Sequence, residues 1–219
     1  MPNYSVSEEN YIKAIFHLQQ TQVNVTTNQL AKQVKSKPAS ITDMMKKLKT
    51  RKMVHYKPYY GFRLTIAGEK IALGIIRRHR LWEYFLAKKL NFNWDEVHAL
   101  AEELEHVRSK LLTDKLDEFL NFPKFDPHGN PIPDVHGKME DLKQICLTDW
   151  PLNKPAIVCQ VINQSTELLE LLKSRKIKIG STLEVKRKFS FDNSLEIKTA
   201  SNSLFNISEQ LSKNILIRK

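Results

Sequence analysis

Behind Ser5 or Ser7, either of which can cap a helix, Tyr11, Ile12, Ile15, Phe16 and Leu18 recur at helical spacing and predict a helix through about Gln20. A polar connection, Thr21 to Thr26, leads to a short helix over about 27–34 carrying Leu30, Ala31 and Val34. In Lys35-Ser36-Lys37-Pro38, Ser36 or Lys37 takes the cap position. Pro38 then opens a third helix, about 38–51, where its missing amide costs nothing. Ile41, Met44, Met45 and Leu48 face inward along it. Met53–Lys57 and Gly61–Thr65 then alternate as two strands around Pro58-Tyr-Tyr-Gly61. This order of elements predicts a winged helix-turn-helix.

The pattern then lengthens. Ile71, Ile75, Ile76, Leu81, Tyr84, Phe85 and Leu90 predict a long helix over about 66–90 that packs on more than one side. Asn91-Phe-Asn93 breaks it, and Trp94 restarts a helix to about Leu112, antiparallel to the first across a short turn. Leu104, Leu111, Leu112, Leu116, Phe119, Leu120 and Phe122 offer more apolar surface than one helical hairpin needs, which points to a homodimer. Beyond residue 141 short strands take over, at Ile157–Ile162, Thr182–Lys186, Ser194–Lys198 and Asn214–Arg218, interrupted by one helix over about 165–174. The expected chain is mainly α, with domains at 1–72 (winged helix-turn-helix), 73–140 (helical) and 141–219 (a small β-barrel).

Composition narrows the function. No run among the 219 residues approaches the ~20 apolar positions that cross a bilayer, and the first residues lack a signal-peptide pattern, so a soluble cytoplasmic protein with no membrane partner is expected. Cys146 and Cys159 are too few and too isolated for a disulfide framework or a thiolate zinc site. The net charge of +11 is uneven: residues 1–72 carry 12 Lys/Arg against 4 Asp/Glu, whereas 73–140 carry 10 against 12. A basic winged domain fits double-stranded DNA. The start of helix 38–51 would enter the major groove, with Ala39, Ser40, Thr42 and Asp43 reaching base edges beside Ser36 and Pro38 in the turn. Lys35, Lys37, Lys46, Lys47, Lys57 and Arg63 would mostly contact phosphate.

The acidic middle carries a different chemistry. On one helix, His98, Glu102, Glu105 and His106 would lie within roughly a quarter turn of each other at ~100° per residue. His79 and Glu83 form a second helical pair upstream. His79, Glu83 and His98 can make one metal site and Glu102, Glu105 and His106 another, roughly 10 Å further along. That separation exceeds the ~3.5–4 Å of a two-metal hydrolase, so regulation is favoured over catalysis. The zinc-protease order His-Glu-x-x-His is absent from this stretch.

Several blocks occur together in order: Glu9-Asn-Tyr-Ile-Lys-Ala-Ile, Lys37-Pro-Ala-Ser-Ile, Arg78-His-Arg-Leu-Trp-Glu83, Val97-His98, Glu105-His106-Val and Asp126-Pro-His-Gly-Asn-Pro-Ile-Pro133. On these the chain resembles the diphtheria-toxin-repressor family of metal-dependent transcriptional regulators, in particular its manganese-responsive branch with a third domain. The resemblance implies that His79, Glu83 and His98 form an ancillary site and that Glu102, Glu105 and His106 belong to the activating one. Glu102 stands where iron-responsive relatives place Cys. The acidic ligand that this branch takes from the first helix corresponds to Asn10, a neutral and weaker donor, and a second acidic position corresponds to Lys13. The last domain is similar to an SH3-like fold, from which Gln164 and Glu167 match loosely the residues that some relatives donate to the ancillary metal. His128 and His136 are not expected to be ligands. Oxygen-rich sites suit Mn²⁺ and then Fe²⁺, while Zn²⁺, Co²⁺ and Ni²⁺ bind such sites at least as strongly in vitro. The expected function is a homodimeric, metal-activated repressor of metal-uptake genes on a near-palindromic operator. An Fe²⁺-responsive repressor, a regulator sensing an organic ligand and a His/carboxylate metalloenzyme are the alternatives.

Overall fold

The structure is a computed structural model that describes residues 4–57, 60–140 and 143–218. Pro58 and Tyr59 of the expected wing turn, and residues 141–142 at the expected domain boundary, lie outside the described residues. The chain packs as two compact units that part within one helix. The first is Met1–His79, Leu104–Lys110 and Pro133–Lys138; the second is Arg80–Glu103, Leu111–Ile132 and Met139–Lys219.

The first unit begins with α1 (Val6–Gln19), α2 (Thr27–Gln33) and α3 (Pro38–Thr50). Ser5 caps α1 through a reciprocal box with Glu8, and Thr26 caps α2 the same way with Gln29, so orphan amides at both starts are satisfied. Lys35 takes φ 50° between α2 and α3, a left-handed step that tightens the turn. Ile12, Ile15, Leu30, Ile41, Met45, Leu48 and Phe62 are almost fully buried, and burying each such side chain contributes roughly 1.5–3 kcal/mol. The wing is the antiparallel hairpin of β1 (Val54–Lys57) and β2 (Gly61–Leu64), with Val54 opposite Leu64. Thr65 Oγ1 accepts from the Gly68 amide at the start of α4 (Ile66–Lys89), and a Cβ on Gly68 would fall 2.2 Å from the Met53 carbonyl oxygen.

The sequence pattern extends the next helix to about Leu112, but α5 (Val97–Leu104) stops eight residues earlier and α6 (Lys110–Phe119) follows. Glu105 and His106 therefore sit in a turn closed by the Val107 amide on the Leu104 carbonyl. Their side chains are held by charged partners on α1, a pull that apolar periodicity does not register.

In the second unit, Leu81, Leu116, Leu120 and Ile132 make one small core with Trp82, Tyr84 and Phe85 against it. The other core lies under a six-stranded antiparallel sheet in the order β3-β8-β4-β5-β6-β7. The strands are β3 (Ile145–Cys146), β4 (Pro155–Val161), β5 (Thr182–Lys188), β6 (Leu195–Thr199), β7 (Leu204–Ile207) and β8 (Ile215–Arg218). Helices α7 (Thr166–Ser174) and α8 (Glu209–Lys213) complete it. The two-residue β3, β7 and α8 correct the expectation of four strands and one helix. Each is too short to display a period, and β7 is recognisable from its pairing with β6. Cys146 and Cys159 are free thiols on β3 and β4.

Candidate metal centre and DNA-binding face

The first unit gathers carboxylates and imidazoles around the turn after α5. Glu105 is fully buried, and both of its oxygens accept from the Lys13 ammonium, at 2.6 and 2.8 Å. His79 Nδ1 lies 2.7 Å from Glu105 Oε2, and Arg78 Nε donates to the Glu105 carbonyl. Burial alone would raise the Glu105 pKa. The hydrogen bond with His79 and the Lys13 charge outweigh it and hold the group below the ordinary carboxylate range.

Glu9 is the carboxylate that sequence reasoning missed. It is buried; its Oε2 lies 2.6 Å from His106 Nδ1, and its Oε1 accepts from Arg108 Nε at 3.0 Å. The contact occupies Nδ1 of His106 and leaves Nε2 facing Glu105 Oε1 at 3.7 Å, the arrangement by which a carboxylate orients an imidazole for a cation. Asn10, the position suggested by resemblance, is exposed. The available signal was the four-residue spacing of Glu9 and Lys13, which places both on one stripe of α1.

A second cluster belongs to the second unit. Glu83 Oε1 is 3.0 Å from His98 Nδ1, and His98 Nε2 is 3.8 Å from Glu102 Oε1. On the other side of Glu83, Oε2 lies 3.6 Å from His128 Nδ1, an atom with no hydrogen-bond partner among the described residues. His128 Nε2 is engaged by the Trp94 carbonyl at 2.7 Å, and the Trp94 ring stacks on the imidazole. A neutral His128 that donates through Nε2 therefore turns an Nδ1 lone pair toward a carboxylate, and only a proton or a metal cation reconciles two facing acceptors. Asp126 joins them: donor atoms of Glu83, Asp126 and His128 lie within 4.8 Å of one another. Burial, reinforced by the Glu83 charge, pushes the Asp126 carboxyl up to about 6. Burial lowers the His128 pKa, but Glu83 and Asp126 more than offset it and the net shift is upward. Sequence reasoning passed over Asp126 and set His128 aside. Gln164 is half-buried ahead of α7, and Glu167 is exposed in its first turn.

Donor atoms of Glu83, Asp126 and His128 are close enough together to hold a divalent cation, and the turn at Glu105 already gathers carboxylates around a cation. An ammonium already stands as a cation on Glu105, and a buried lone pair faces Glu83. Oxygen donors with one or two imidazoles suit Mn²⁺ and Fe²⁺.

The residues expected to contact DNA lie on the first unit. Lys35, Lys37, Pro38, Ala39, Ser40, Asp43, Lys46, Lys47, Lys57 and Arg63 are exposed, and Ser36 and Thr42 half-exposed. Thr42 donates to the Pro38 carbonyl, Lys46 pairs with Asp43 at 3.5 Å, and Lys47 reaches Glu8 at 3.5 Å.

A basic winged helix-turn-helix followed by a carboxylate–imidazole helical segment defines a metal-responsive DNA-binding regulator. Three family models match in succession. They are the iron dependent repressor N-terminal DNA binding domain at residues 4–62, the iron dependent repressor metal binding and dimerisation domain at 65–134, and the FeoA domain at 145–219. The chain belongs to the diphtheria-toxin-repressor family of metal-dependent repressors, in its three-domain form. It is 28% identical over 166 residues to the iron-dependent repressor IdeR of Mycobacterium leprae (strain TN), covering 73% of this chain and 71% of that one. It is 29% identical over 151 residues to the HTH-type transcriptional regulator MntR of Oceanobacillus iheyensis (strain DSM 14371), covering 68% and 96%. A solved manganese-dependent transcriptional repressor in complex with manganese superposes with a TM-score of 0.88 at 29% identity, covering 96% of this chain and 98% of that one. Among the described residues no helix is long and apolar enough to cross a membrane.

Proposed function

We propose that this chain is a cytoplasmic, homodimeric repressor of metal-uptake genes, activated by Mn²⁺, that binds a near-palindromic operator. The observation that carries the reading is the arrangement along α1. Glu8 is clamped to Arg51 at the end of α3 at 2.7 Å, and the adjacent Glu9 holds His106 beside Glu105. A cation at Glu105 and His106 thereby acts on the helix that is tied to the recognition helix.

The activating ligands proposed are Glu102, Glu105 and His106, with Asn10 as a neutral donor and Glu9 as the residue that positions His106. The second ligand set proposed is His79, Glu83 and His98, as the resemblance implies, joined by Asp126 and His128 because donor atoms of these two and of Glu83 lie within 4.8 Å of one another; Gln164 and Glu167 are its candidate outer donors. Exposed Leu111, Leu112, Phe119 and Phe122 support pairing of two copies, which would present two recognition helices to successive major-groove turns. The relative IdeR carries iron in its name, which makes Fe²⁺ the second metal to test.

The test recovers fragments of the source genome on the purified full chain at fixed salt, with excess chelator and then with Mn²⁺ or Fe²⁺ restored. A few promoter fragments recovered only with metal support the reading. Equal recovery under chelator removes the metal switch, and no specific fragment with any metal removes the repressor.

A further inference from the structure

We propose that the Lys13 ammonium is a tethered cation that competes with the divalent metal for the Glu105 carboxylate, so that its displacement sets the metal concentration at which the activating site fills. The inference rests on the reading of Glu105 as a metal ligand. Lys13 covers both Glu105 oxygens, at 2.6 and 2.8 Å, with its side chain 15% exposed and Glu105 fully buried. A metal cannot take either oxygen without weakening that contact.

Charge sharpens the point. Around this turn the first unit places Glu9 and Glu105 with Lys13, Arg78 and Arg108, so that two negative charges meet three positive ones even with His79 and His106 neutral. A divalent ion added while Lys13 stays would raise the excess among these groups to three positive charges, or to two where Glu102 also binds the ion. Arg78 and Arg108 are held by Glu9 and by the Glu105 backbone, whereas Lys13 grips the carboxylate that the metal needs. Its flexible four-carbon stem makes it the cation that leaves.

A competitor carried on the same chain does not vary in concentration, so it weakens metal binding by a constant factor equal to the fraction of time the carboxylate is free. A pair closed about nine-tenths of the time weakens binding about tenfold. The residue thus acts as a threshold setter: low metal leaves the ammonium in place, and only a metal concentration above the shifted midpoint exchanges it.

The test titrates Mn²⁺ into the full chain against a competing fluorescent chelator, comparing wild type with Lys13→Met, Lys13→Arg and Glu105→Gln. The expected result is about tenfold tighter Mn²⁺ binding in Lys13→Met, little change in Lys13→Arg, and loss of a binding event in Glu105→Gln. Unchanged or weaker binding in Lys13→Met, with Glu105→Gln still impaired, overturns the competition and leaves the metal site standing. Undiminished binding in Glu105→Gln overturns the site itself. If Lys13→Met does not fold, ¹⁵N spectra of the wild-type lysine ammonium groups decide the matter. A Lys13 signal protected from exchange in chelator should vanish on saturation with diamagnetic Cd²⁺, and its persistence overturns the proposal.

Discussion

Replacing Glu9 with Ala tests whether this buried carboxylate positions the metal-facing imidazole. The substitution removes a 2.6 Å contact to His106 Nδ1 and a 3.0 Å contact to Arg108 Nε, from a side chain only 4% exposed. Freed of that contact, His106 can rotate or hold its proton on Nε2, the nitrogen that faces Glu105. Loss of such an outer partner lowers metal affinity by about 10–100-fold, equivalent to roughly 1.4–2.7 kcal/mol. Stability in chelator should also fall by about 1–3 kcal/mol, because Arg78, Arg108 and His106 lose a charged acceptor in a largely desolvated place. Mn²⁺ titration against a fluorescent chelator reads the first effect, and thermal unfolding in excess chelator the second. Asn10→Ala is the comparison: its exposed side chain should change stability in chelator by less than about 0.5 kcal/mol, and the metal loses only a weak neutral donor. If Mn²⁺ affinity survives Glu9→Ala and falls in Asn10→Ala, the positioning role assigned to Glu9 is refuted.

Gly129→Ala should destabilise by more than about 2 kcal/mol, since Gly129 has φ 85° and a Cβ there would fall 1.8 Å from the Cys159 carbonyl oxygen; wild-type unfolding behaviour would contradict the packing of this loop on β4. Lys37→Ala and Arg63→Ala should each weaken DNA binding across sequences and reduce the salt slope by about 1, whereas Ser40→Ala should alter sequence preference at similar salt slope. Binding isotherms at several salt concentrations separate these effects, and a sequence-dependent loss for Lys37→Ala would move it from phosphate to base contact. Mn²⁺ at about 100 times its Kd should stabilise the protein by about 2.7 kcal/mol, read as a rise in melting temperature that Glu105→Gln and His106→Gln greatly reduce. An equal rise in those variants would place the stabilising ion elsewhere.

The winged domain was legible because its signals are local. Ser5, Thr26 and Pro38 mark helix starts within a turn of the residues they serve, and the alternation through Phe62 and Leu64 marks a strand. The turn after α5 was not, because Leu104, Val107 and Leu111 continue the helical spacing past the point where the helix ends. What ends it is the set of side-chain contacts from Glu105, His106 and Arg108 to Lys13 and Glu9, which lie more than 90 residues away in sequence. Glu9 was hidden for the same reason: an acidic residue in the first turn of a helix has a sufficient local explanation in the helix dipole. Asp126 and His128 were hidden because a proline-containing loop reads as connection. Here Asp126 Oδ1 accepts from the His128 and Asn130 amides and folds the loop so that His128 turns inward.

The same α1 explains how a small ion can act on DNA. Its apolar face, Ile12, Ile15 and Phe16, is buried, so the helix is part of the winged domain's own core. Glu8 is tied to Arg51 and Lys47. Burial would raise its pKa, but the Ser5 amide and those two cations dominate and hold it at about 2, so this link stays charged at physiological pH. Glu9 and Lys13 face the turn that carries Glu105 and His106. This helix thus joins the recognition helix to the proposed cation site through adjacent residues, and exchanging an ammonium for a metal ion there would change what pulls on one end of it. Because the two sites share that element, any factor by which metal tightens operator binding must equal the factor by which operator tightens metal binding. Should operator DNA leave the Mn²⁺ midpoint unmoved while Mn²⁺ shifts the DNA midpoint tenfold, the coupling cannot reside in an equilibrium of α1, and the link from cation to recognition helix would have to be sought in dimer assembly.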